Sequence, residues 1–479
     1  SLREITEFAK SIHFQFASYM SASKFYKDYA LKTNDKTKFL EDYNQHVAIV
    51  ALYLANGNVK QAKQFILAMI EQRYQPATPT FLNAGRARRG ELVSCFLLEV
   101  DDSLNSINFI DSTAKQLSKI GGGVAINLSK LRARGEAIKG IKGVAKGVLP
   151  VAKALEGGFS YADQLGQRPG AGAVYLNIFH YDVEEFLDTK KVNADEDLRL
   201  STISTGLIVP SKFFDLAKEG KDFYMFAPHT VKQEYGVTLD DIDIEKYYDE
   251  LVANPNVLKK KKDAREMLNM IAQTQLQSGY PYLMFKDNAN KVHANSNIGQ
   301  IKMSNLCTEI FQLQETSIIN DYGIEDEIKR DISCNLGSLN IVNVMETGKF
   351  RDSVHTGMDA LTVVSDEANI QNAPGVKKAN NELHSVGLGV MNLHGYLAKN
   401  KIGYESEEAK DFANIFFMMM NYYSIERSME IAKERGEAYQ DFDKSDYASG
   451  KYFDFYTSQE FVPQFEKVKE LFANMQIPT

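Results

Sequence analysis

Cysteine is scarce in this chain. Only three cysteines, at positions 95, 307 and 334, occur among 479 residues. A disulfide framework needs more of them, and spacings this wide exclude local zinc motifs such as CxxC. We therefore predict a protein whose thiols stay reduced, as they do in the cytoplasm.

Long apolar runs, an excess of basic residues and paired histidines are missing as well. No stretch has the length of a membrane span, and no secretory signal is visible. With 55 Lys and Arg against 63 Asp and Glu, the net charge is −8, which argues against nonspecific nucleic-acid binding and against a basic membrane-binding face. The eight histidines occur singly, so no metal site is expected in this chain.

Internal repeats and low-complexity linkers are also absent, which favours one large continuous domain over several small ones. The first 74 residues have apolar residues three and four apart, which predicts helices, and Gly57 and Asn58 divide two of them. From residue 75 onward, short apolar segments alternate with amphipathic helices. This alternation is typical of an α/β sheet or barrel with its functional groups at strand ends and loops.

Several elements are predicted individually. The segments LVSCFLLEV, GVAINL and GAVYLNIF are expected to be buried strands. A long helix is expected late in the chain, with Ser406 as its N-cap and Gly436 at its C-terminal stop. The lysine run 259–262 is expected to be the solvated start of a helix.

Three glycine-rich segments are candidates for phosphate-binding loops: KIGGGVAINL, DQLGQRPGAGAVYL and HSVGLGVMNL. None contains the GxxxxGK[ST] pattern or opens a helix as a dinucleotide-binding loop does. Their backbone amides are able to approach a phosphate or a base closely. Ordinary tight turns are at least as good an interpretation of each.

The segment IKMSNLCTEIF (301–311) places Asn305, Cys307 and Glu309 two residues apart. We expect an extended segment in which these three side chains point the same way. One reaction uses three thiols, a carboxylate and an amide together. A thiyl radical takes hydrogen from an unactivated carbon, two further thiols supply two electrons and become a disulfide, and the carboxylate accepts a hydroxyl proton. Reduction of a ribose at C2′ makes these demands.

Four separated segments carry a resemblance to a known family. SNLCTEIF, ISCNLGSLNI, LVSCFLLEVDDSLNSI and YADQLGQRPGAGAVYL together resemble the catalytic (alpha, large) subunit of class I ribonucleotide reductases, over essentially the whole chain. The short N-terminal helical region looks most like the bacterial class Ib type. The resemblance implies a ten-stranded α/β barrel of the ribonucleotide reductase type over residues 75–479, preceded by a helical N-terminal region over 1–74.

The resemblance implies a reaction and a role for each site residue. The reaction is reduction of ribonucleoside diphosphates to 2′-deoxyribonucleoside diphosphates, which supplies DNA precursors. Cys307 would carry the thiyl radical that takes the 3′-hydrogen, Glu309 would be the general base at the 3′-hydroxyl, and Asn305 would position the ribose. Cys95 and Cys334 would form the redox-active disulfide. The implied substrate contacts are Thr78 (or Thr80, if the local alignment slips), Ser94, Cys95, Gly123, Asn305, Leu306, Cys307, Thr308 and Glu309.

The family also controls which base is reduced, through a deoxynucleoside triphosphate or ATP bound as an allosteric effector at a dimer interface. Carboxylates accept hydrogen bonds from ribose hydroxyls and arginine binds phosphate, so the matching residue types are chemically suitable. Gln167 and Arg168 fall in the loop that resembles the specificity relay between effector and substrate. The implied effector residues are Asp102, Ser103, Leu104, Arg132, Ile138 and Lys139. A surface salt bridge is an alternative for any single one of them.

The resemblance also implies partners. A separate small beta subunit would generate the radical with its own cofactor, dimetal or other, and a thioredoxin- or glutaredoxin-like protein would supply electrons. The alpha subunit would form a homodimer, act in the cytoplasm, and need no metal, nucleic acid or membrane. In the family the barrel continues beyond the equivalent of Thr479, so we expect a fragment that lacks its C-terminal part and does not turn over by itself.

Two other functions stay open from the sequence. The first is another thiyl- or glycyl-radical barrel enzyme, which would lack the pair Cys95 and Cys334 or use it differently. The second is a non-catalytic fragment that only binds nucleotides and dimerises. Effector binding without any redox role of the cysteines would distinguish the second.

Overall fold

The computed structural model describes residues 2–87, 90–163, 170–321, 323–368 and 370–479. The chain forms two compact units. The first contains Ser1–Val93, Cys334–Asn369 and Glu382–Thr479, and the second contains Ser94–Ser333 and Ile370–Asn381. No helix within the described ranges is both long enough and apolar enough to cross a membrane.

Helices account for much of the chain. One π-helical segment, Phe25–Tyr29, and two short 3₁₀ helices, Phe442–Lys444 and Lys451–Phe453, accompany the α-helices. The α-helices are α1 Leu2–Ser11, α2 Tyr19–Lys24, α3 Tyr43–Leu54, α4 Val59–Ile70, α5 Thr78–Asn83, α6 Leu104–Lys119, α7 Leu149–Tyr161, α8 Val183–Asp188, α9 Ser211–Glu219, α10 Pro228–Tyr235, α11 Ile244–Ala253, α12 Ala264–Ser278, α13 Lys286–Lys291, α14 Ile341–Thr347, α15 Phe350–Glu367, α16 Pro374–Leu383, α17 Leu393–Lys399, α18 Glu407–Arg435, α19 Asp446–Ser449, α20 Asp454–Thr457 and α21 Glu466–Leu471.

Within the described ranges the strands lie in three sheets. The six-stranded sheet has the order β8-β5-β4-β3-β2-β9, the three-stranded sheet β1-β10-β11, and the third sheet pairs β6 with β7. The strands are β1 Tyr74–Pro76, β2 Cys95–Glu99, β3 Gly123–Asn127, β4 Ala171–Asn177, β5 Ser204–Val209, β6 Asp222–Phe226, β7 Lys259–Asp263, β8 Tyr282–Phe285, β9 Ile332–Ser333, β10 Leu336–Asn340 and β11 Gly387–Met391.

The six-stranded sheet forms the centre of the second unit. Five of its strands run parallel, and β9 pairs antiparallel with β2 at one edge. Strands β3 and β5 are buried along their whole length, because parallel strands are covered on both faces. All three segments predicted as strands contain one.

The predicted helix signals in the first unit are also present. Asp42 caps α3 in a capping box with Gln45, and Asn58 caps α4 by accepting a hydrogen bond from the backbone of Gln61. The late helix α18 begins after Ser406 and ends at Gly436, whose φ is +72°. Asn58 and Ser406 therefore begin two of these helices, and Gly436 ends one, where the sequence predicts. The Asp42 cap was not predicted.

The lysine run was wrongly predicted as a helix start. Residues 259–263 form β7, which pairs antiparallel with β6 from Phe226↔Lys259 to Asp222↔Asp263. The apolar residues of β6 supply the pairing partner, and Asp263 caps the next helix by accepting from the backbone of Glu266. A partner distant in sequence therefore overrides the local preference of lysine.

Candidate active site

A tight turn carries Asn305, Cys307 and Glu309. The Thr308 N–H donates to the Asn305 carbonyl at 3.1 Å, and Thr308 has a φ of +64°. The Asn305 Oδ1 accepts from the backbone N–H groups of Glu309 at 2.9 Å and Ile310 at 3.0 Å. The predicted extended segment is therefore wrong, because the asparagine side chain bonds the local backbone and closes a turn instead.

The three side chains of this turn differ in exposure. Asn305 is fully buried, whereas Cys307 and Glu309 are exposed. Among the residues that the structure describes, the Asn305 Nδ2 is a buried donor without a hydrogen-bond partner. A buried amide donor of this kind costs free energy, so it is a group that a bound polar molecule would satisfy.

The turn lies against the amino-terminal edge of the parallel sheet. Cys95 and Gly123 are paired at the start of β2 and β3. The Gly123 N–H donates to the Ser94 carbonyl at 2.5 Å. A Cβ on Gly123 would lie 3.0 Å from the Leu306 Cδ2. Gly123, with Ser94 and Cys95 beside it, thus lies next to Leu306, the neighbour of Cys307.

Two tyrosines that sequence reasoning missed adjoin the turn. The Tyr175 hydroxyl on β4 donates to the Asn305 carbonyl at 2.7 Å and lies 2.9 Å from the Thr308 Oγ1. Burial raises the pKa of Tyr175, with smaller contributions from Tyr282, Glu309 and Cys307. Burial likewise raises the pKa of Tyr282, and the nearby Cys307 thiol contributes to the same shift. Each tyrosine lies in an apolar strand, so its sequence context gave no signal of this position.

Cys334 directly follows β9 in the chain. Strand β9 pairs antiparallel with β2 in the register Phe96↔Ser333 and Leu97↔Ile332. Cys95 immediately precedes this paired segment on one strand, and Cys334 immediately follows it on the other. Cys334 is buried, whereas Cys95 is half-buried.

The two alternative threonines of the PATPT segment, Thr78 and Thr80, both lie in the first unit and differ in exposure and in hydrogen bonding. Thr78 is exposed and its hydroxyl accepts from the Tyr29 hydroxyl at 3.1 Å. Thr80 is buried and donates to the Leu92 carbonyl at 2.7 Å. Because the Thr80 hydroxyl already donates within the fold, Thr78 is the better candidate for a ligand contact.

The proposed effector residues Asp102 and Arg132 form an ion pair. The Arg132 Nε lies 2.9 Å from the Asp102 Oδ2, and the Arg132 N–H donates to the Asp102 Oδ1 at 3.1 Å. The same guanidinium donates to the Ala137 carbonyl at 2.5 Å. Both side chains are about one-fifth exposed, so they remain accessible to a ligand.

The other predicted effector residues lie on neighbouring segments. Ser103 caps α6 by accepting from the Ser106 N–H, and Leu104 is exposed. Ile138 and Ile141 exchange two backbone hydrogen bonds of 3.0 Å around Lys139 and Gly140, which both have positive φ. Positive φ at both central residues makes this a type I′ hairpin turn, which presents Lys139 to solvent.

Glu136 was missed by sequence reasoning. Its buried carboxylate accepts from the backbone N–H groups of Ala133 at 2.6 Å, Thr230 at 3.1 Å and His229 at 3.4 Å. Burial raises the pKa of Glu136. Burial and the nearby Arg132 charge lower the pKa of His229. Glu136 therefore joins the loop after Arg132 to the start of α10. The predicted specificity residues Gln167 and Arg168 lie outside the described residues.

One group of potential metal ligands occurs among the described residues: His355, Glu426 and Glu430. The Arg351 Nε donates to Glu426 at 3.0 Å, and Arg427 donates to Glu430 at 3.0 Å. Because guanidinium groups already neutralise both carboxylates, we assign no metal to this group.

Comparison with known proteins gives consistent matches. The family model described as "Ribonucleotide reductase, barrel domain" matches residues 93–476, and the model described as "Ribonucleotide reductase, all-alpha domain" matches residues 15–89. The fold is accordingly mixed α/β with an N-terminal all-alpha domain and a barrel domain of this family. The predicted boundary after residue 74 and the count of ten strands stay predictions.

Three curated proteins illustrate the similarity, and each is described as "Ribonucleoside-diphosphate reductase subunit alpha". The Bacillus subtilis protein is 56% identical over 478 residues, which cover 100% of this chain and 68% of that protein. The Mycoplasma pneumoniae protein is 45% identical over 99% of this chain and 66% of its own length. The Treponema pallidum protein is 31% identical over 91% of this chain and 54% of its own length. The chain thus spans about two thirds of the first two relatives.

Proposed function

Because the chain belongs to the ribonucleotide reductase large-subunit family, we propose that it is the catalytic part of a ribonucleoside-diphosphate reductase of the class Ib type. It reduces ribonucleoside diphosphates to 2′-deoxyribonucleoside diphosphates and so supplies DNA precursors. The observation that carries the proposal is the Asn305–Glu309 turn seated beside Gly123 and Cys95.

In this proposal the turn handles the ribose. Cys307, as a thiyl radical, takes the 3′-hydrogen, and its exposed position makes it accessible. Glu309 accepts the 3′-hydroxyl proton. The buried Asn305 Nδ2 without a partner within the described chain donates to the ribose. Ser94, Gly123, Leu306 and Thr308 line the same site. The family resemblance assigns Thr78 to the substrate as well.

Cys95 and Cys334 supply the two electrons. Two thiols lose two hydrogen atoms and form one disulfide, while the substrate C2′–OH bond becomes C2′–H and the oxygen leaves as water. The register of β2 and β9 supports this pairing, since Phe96 and Ser333, the neighbours of the two cysteines, are paired. Residues facing each other in an antiparallel ladder have Cα atoms about 4.5–5.5 Å apart, a separation that a disulfide spans.

Asp102 and Arg132 bind the allosteric effector, a deoxynucleoside triphosphate or ATP. The carboxylate accepts from the ribose hydroxyl and the guanidinium donates to phosphate. Ser103, Leu104, Ile138 and Lys139 complete this site at the interface of a homodimer. Gln167 and Arg168 relay the effector's identity to the substrate site.

The partners follow from the same proposal. A beta subunit generates the radical with its own cofactor, as the name "subunit alpha" of the relatives suggests, and a thioredoxin- or glutaredoxin-like protein reduces the disulfide. The cytoplasm, where thiols are kept reduced, suits this cycle.

The test is peptide mapping by mass spectrometry after mild oxidation of the chain. We expect a disulfide between Cys95 and Cys334, with Cys307 still open to alkylation. A Cys334→Ser variant should lose this disulfide, and a Cys307→Ser variant should keep it. A disulfide that includes Cys307 in the unsubstituted chain, or three cysteines that never pair, would contradict the assigned roles.

A further inference from the structure

The segment that bears Cys307 is held by both of its arms. We call residues 301–316 the thiol loop. In the arm before the turn, the Lys302 Nζ lies 2.7 Å from the Asp241 Oδ1. In the arm after the turn, the Thr316 Oγ1 donates to the Glu99 Oε2 at 3.0 Å. Each arm is thus bonded to a different acidic residue of the second unit.

Lys130 joins these two attachments. Its Nζ donates to the Thr316 Oγ1 and lies 3.6 Å from the Asp241 Oδ2. The Asp241 Oδ2 also accepts from the Thr238 hydroxyl at 2.6 Å. We call Glu99, Lys130, Asp241, Lys302 and Thr316 the loop clamp. Its five side chains form one continuous series of hydrogen bonds and ion pairs.

The loop clamp rests on the carboxyl ends of the parallel strands. Glu99 ends β2, and the Asn127 Nδ2 at the end of β3 donates to the Glu99 Oε1 at 3.1 Å. The same amide donates to the Asp240 Oδ2 at 2.8 Å, and the Asn177 Nδ2 donates to the Asp240 Oδ1 at 3.1 Å. Three adjacent strands therefore position the acidic side of the clamp.

The charges of the loop clamp are balanced and shielded. The side chains of Lys130 and Lys302 are 9% and 16% exposed. Burial disfavours the charge of Asp241, but Lys130 and Lys302 together hold its pKa well below the usual range. Burial likewise opposes the charge of Lys302, but Glu99 and Asp241 raise its pKa. Partly buried pairs of this kind are less screened by salt than surface pairs.

The loop clamp and the Gly123 contact of the turn lie at opposite ends of the same strands, whereas Tyr175, which is level with Glu99 in the sheet, reaches the turn with its hydroxyl. The clamp is at Glu99, the last residue of β2, whereas Leu306 contacts Gly123, which is paired with the first residue of β2. Four residues of strand separate these levels, a distance of about 13 Å. The clamp bonds to the two arms of the thiol loop at Lys302 and Thr316, and its effect on the turn passes through these arms.

We propose that the loop clamp positions Cys307. Lys302 and Thr316 hold the two arms of the thiol loop in place, and the arms in turn determine where the turn lies against the first residues of β2 and β3. This proposal rests on the proposed role of Cys307. The five clamp residues are positioning residues. When either arm is released, the turn is expected to lose its hydrogen bonds to Asn305 while the sheet stays folded.

Hydrogen exchange followed by mass spectrometry tests the proposal on this chain. The amides of residues 308–310, which all bond to Asn305, report on the turn. In Lys302→Met and in Thr316→Val they should exchange about tenfold faster than in the unsubstituted chain, because a charge-assisted or buried hydrogen bond is lost. Lys302→Arg and Thr316→Ser should restore most of the protection.

A matched control separates positioning from general stability. Lys262 lies 3.3 Å from Glu184 in the same unit, with both side chains about one-quarter exposed, and Lys262→Met should leave the turn amides unchanged. The proposal would be overturned if the exchange rates of the turn amides stayed unchanged in both Lys302→Met and Thr316→Val. It would also be overturned if these rates rose only as much as those of the amides in β2 and β3. If Lys302→Met does not fold, Thr316→Val with Thr316→Ser decides. The result is independent of disulfide mapping, which tests the roles of the thiols.

Discussion

At the scale of single residues, polar side chains decide the conformation of the site. The spacing of Asn305 predicts its place in the site, yet its side-chain Oδ1 accepts from the backbone N–H groups of Glu309 and Ile310 and turns the chain. The residue type pointed to the chemistry, whereas its hydrogen bonds determine the geometry. Buried acids such as Asp331 show the same dependence on surroundings, since only the fold makes Asp331 fully buried.

Asp331 should make folding stability depend on pH. Burial and the charge of Glu99 raise the pKa of Asp331 to about 8. The folded state therefore binds this proton more tightly than the unfolded state, and the contribution to stability is lost as pH rises from about 4 to 8. The asparagine in Asp331→Asn cannot ionise. At pH 8 the free energy of unfolding of this variant should therefore be at least about 1 kcal/mol higher than that of the unsubstituted chain.

Urea unfolding at pH 5 and pH 8 measures this effect. Between pH 5 and pH 8 the unsubstituted chain should lose stability relative to Asp331→Asn, because the carboxyl is ionised in the unfolded state and protonated in the folded state over this range. Asp249 is exposed, and Asp249→Asn serves as the control that should change neither value. An identical pH dependence with and without Asp331 would contradict the raised pKa.

At the scale of secondary structure, the parallel strands hold the thiol loop through residues at both of their ends. Their amino-terminal edge meets the turn through Gly123, and their carboxyl edge holds the loop clamp through Glu99. Capping residues such as Ser406 can be predicted from the sequence because capping is local. The pairing of β6 with the lysine-rich β7 could not be predicted in this way, because the two strands are more than thirty residues apart.

Gly123→Ala should disturb the turn through one steric contact. The added Cβ would lie 3.0 Å from the Leu306 Cδ2 and 3.5 Å from the Ser94 carbonyl, so Leu306 must move. We expect a loss of about 1 kcal/mol in unfolding free energy and a changed rate of Cys307 alkylation, measured by mass spectrometry. Gly157→Ala in α7 meets nothing within 4 Å and should leave alkylation unchanged. Equal behaviour of the two variants would show that Gly123 does not position Leu306.

At the scale of the whole molecule, the proposed effector site links regulation to stability. A ligand that binds only the folded protein raises its stability, by about 2.7 kcal/mol at a hundred times its dissociation constant. The residues Asp102 and Arg132 lie on two segments that the ion pair of 2.9 Å joins. Binding at this pair should therefore be visible in the thermal unfolding of the chain.

Deoxynucleoside triphosphates should raise the melting temperature of the chain, measured by differential scanning fluorimetry. Arg132→Ala should abolish this rise, because it removes the guanidinium that meets the phosphates. Arg134 is only two residues away and exposed, with a 3.5 Å contact to Glu185, and Arg134→Ala should retain the rise. If neither variant alters the shift, Arg132 does not bind the effector.

The family and the mixed α/β class follow from the amino-acid sequence, and the residues of the candidate site stay a prediction from it. These follow from local patterns: apolar periodicity, caps, and short motifs around Cys95, Cys307 and Cys334. The residue types that a reaction needs can be recognised in the sequence itself. The spacing of Asn305, Cys307 and Glu309, however, predicted an extended segment where the chain forms a turn.

The way in which the site is held depends on contacts between distant parts of the chain. Tyr175 meets the turn across 130 residues of chain, and Thr316 meets Glu99 across 217. Such contacts have no local signature, because they arise when strands distant in sequence pack side by side and bury their polar ends together. The free energy of burial selects these partners, and a burial environment exists only once the chain has folded.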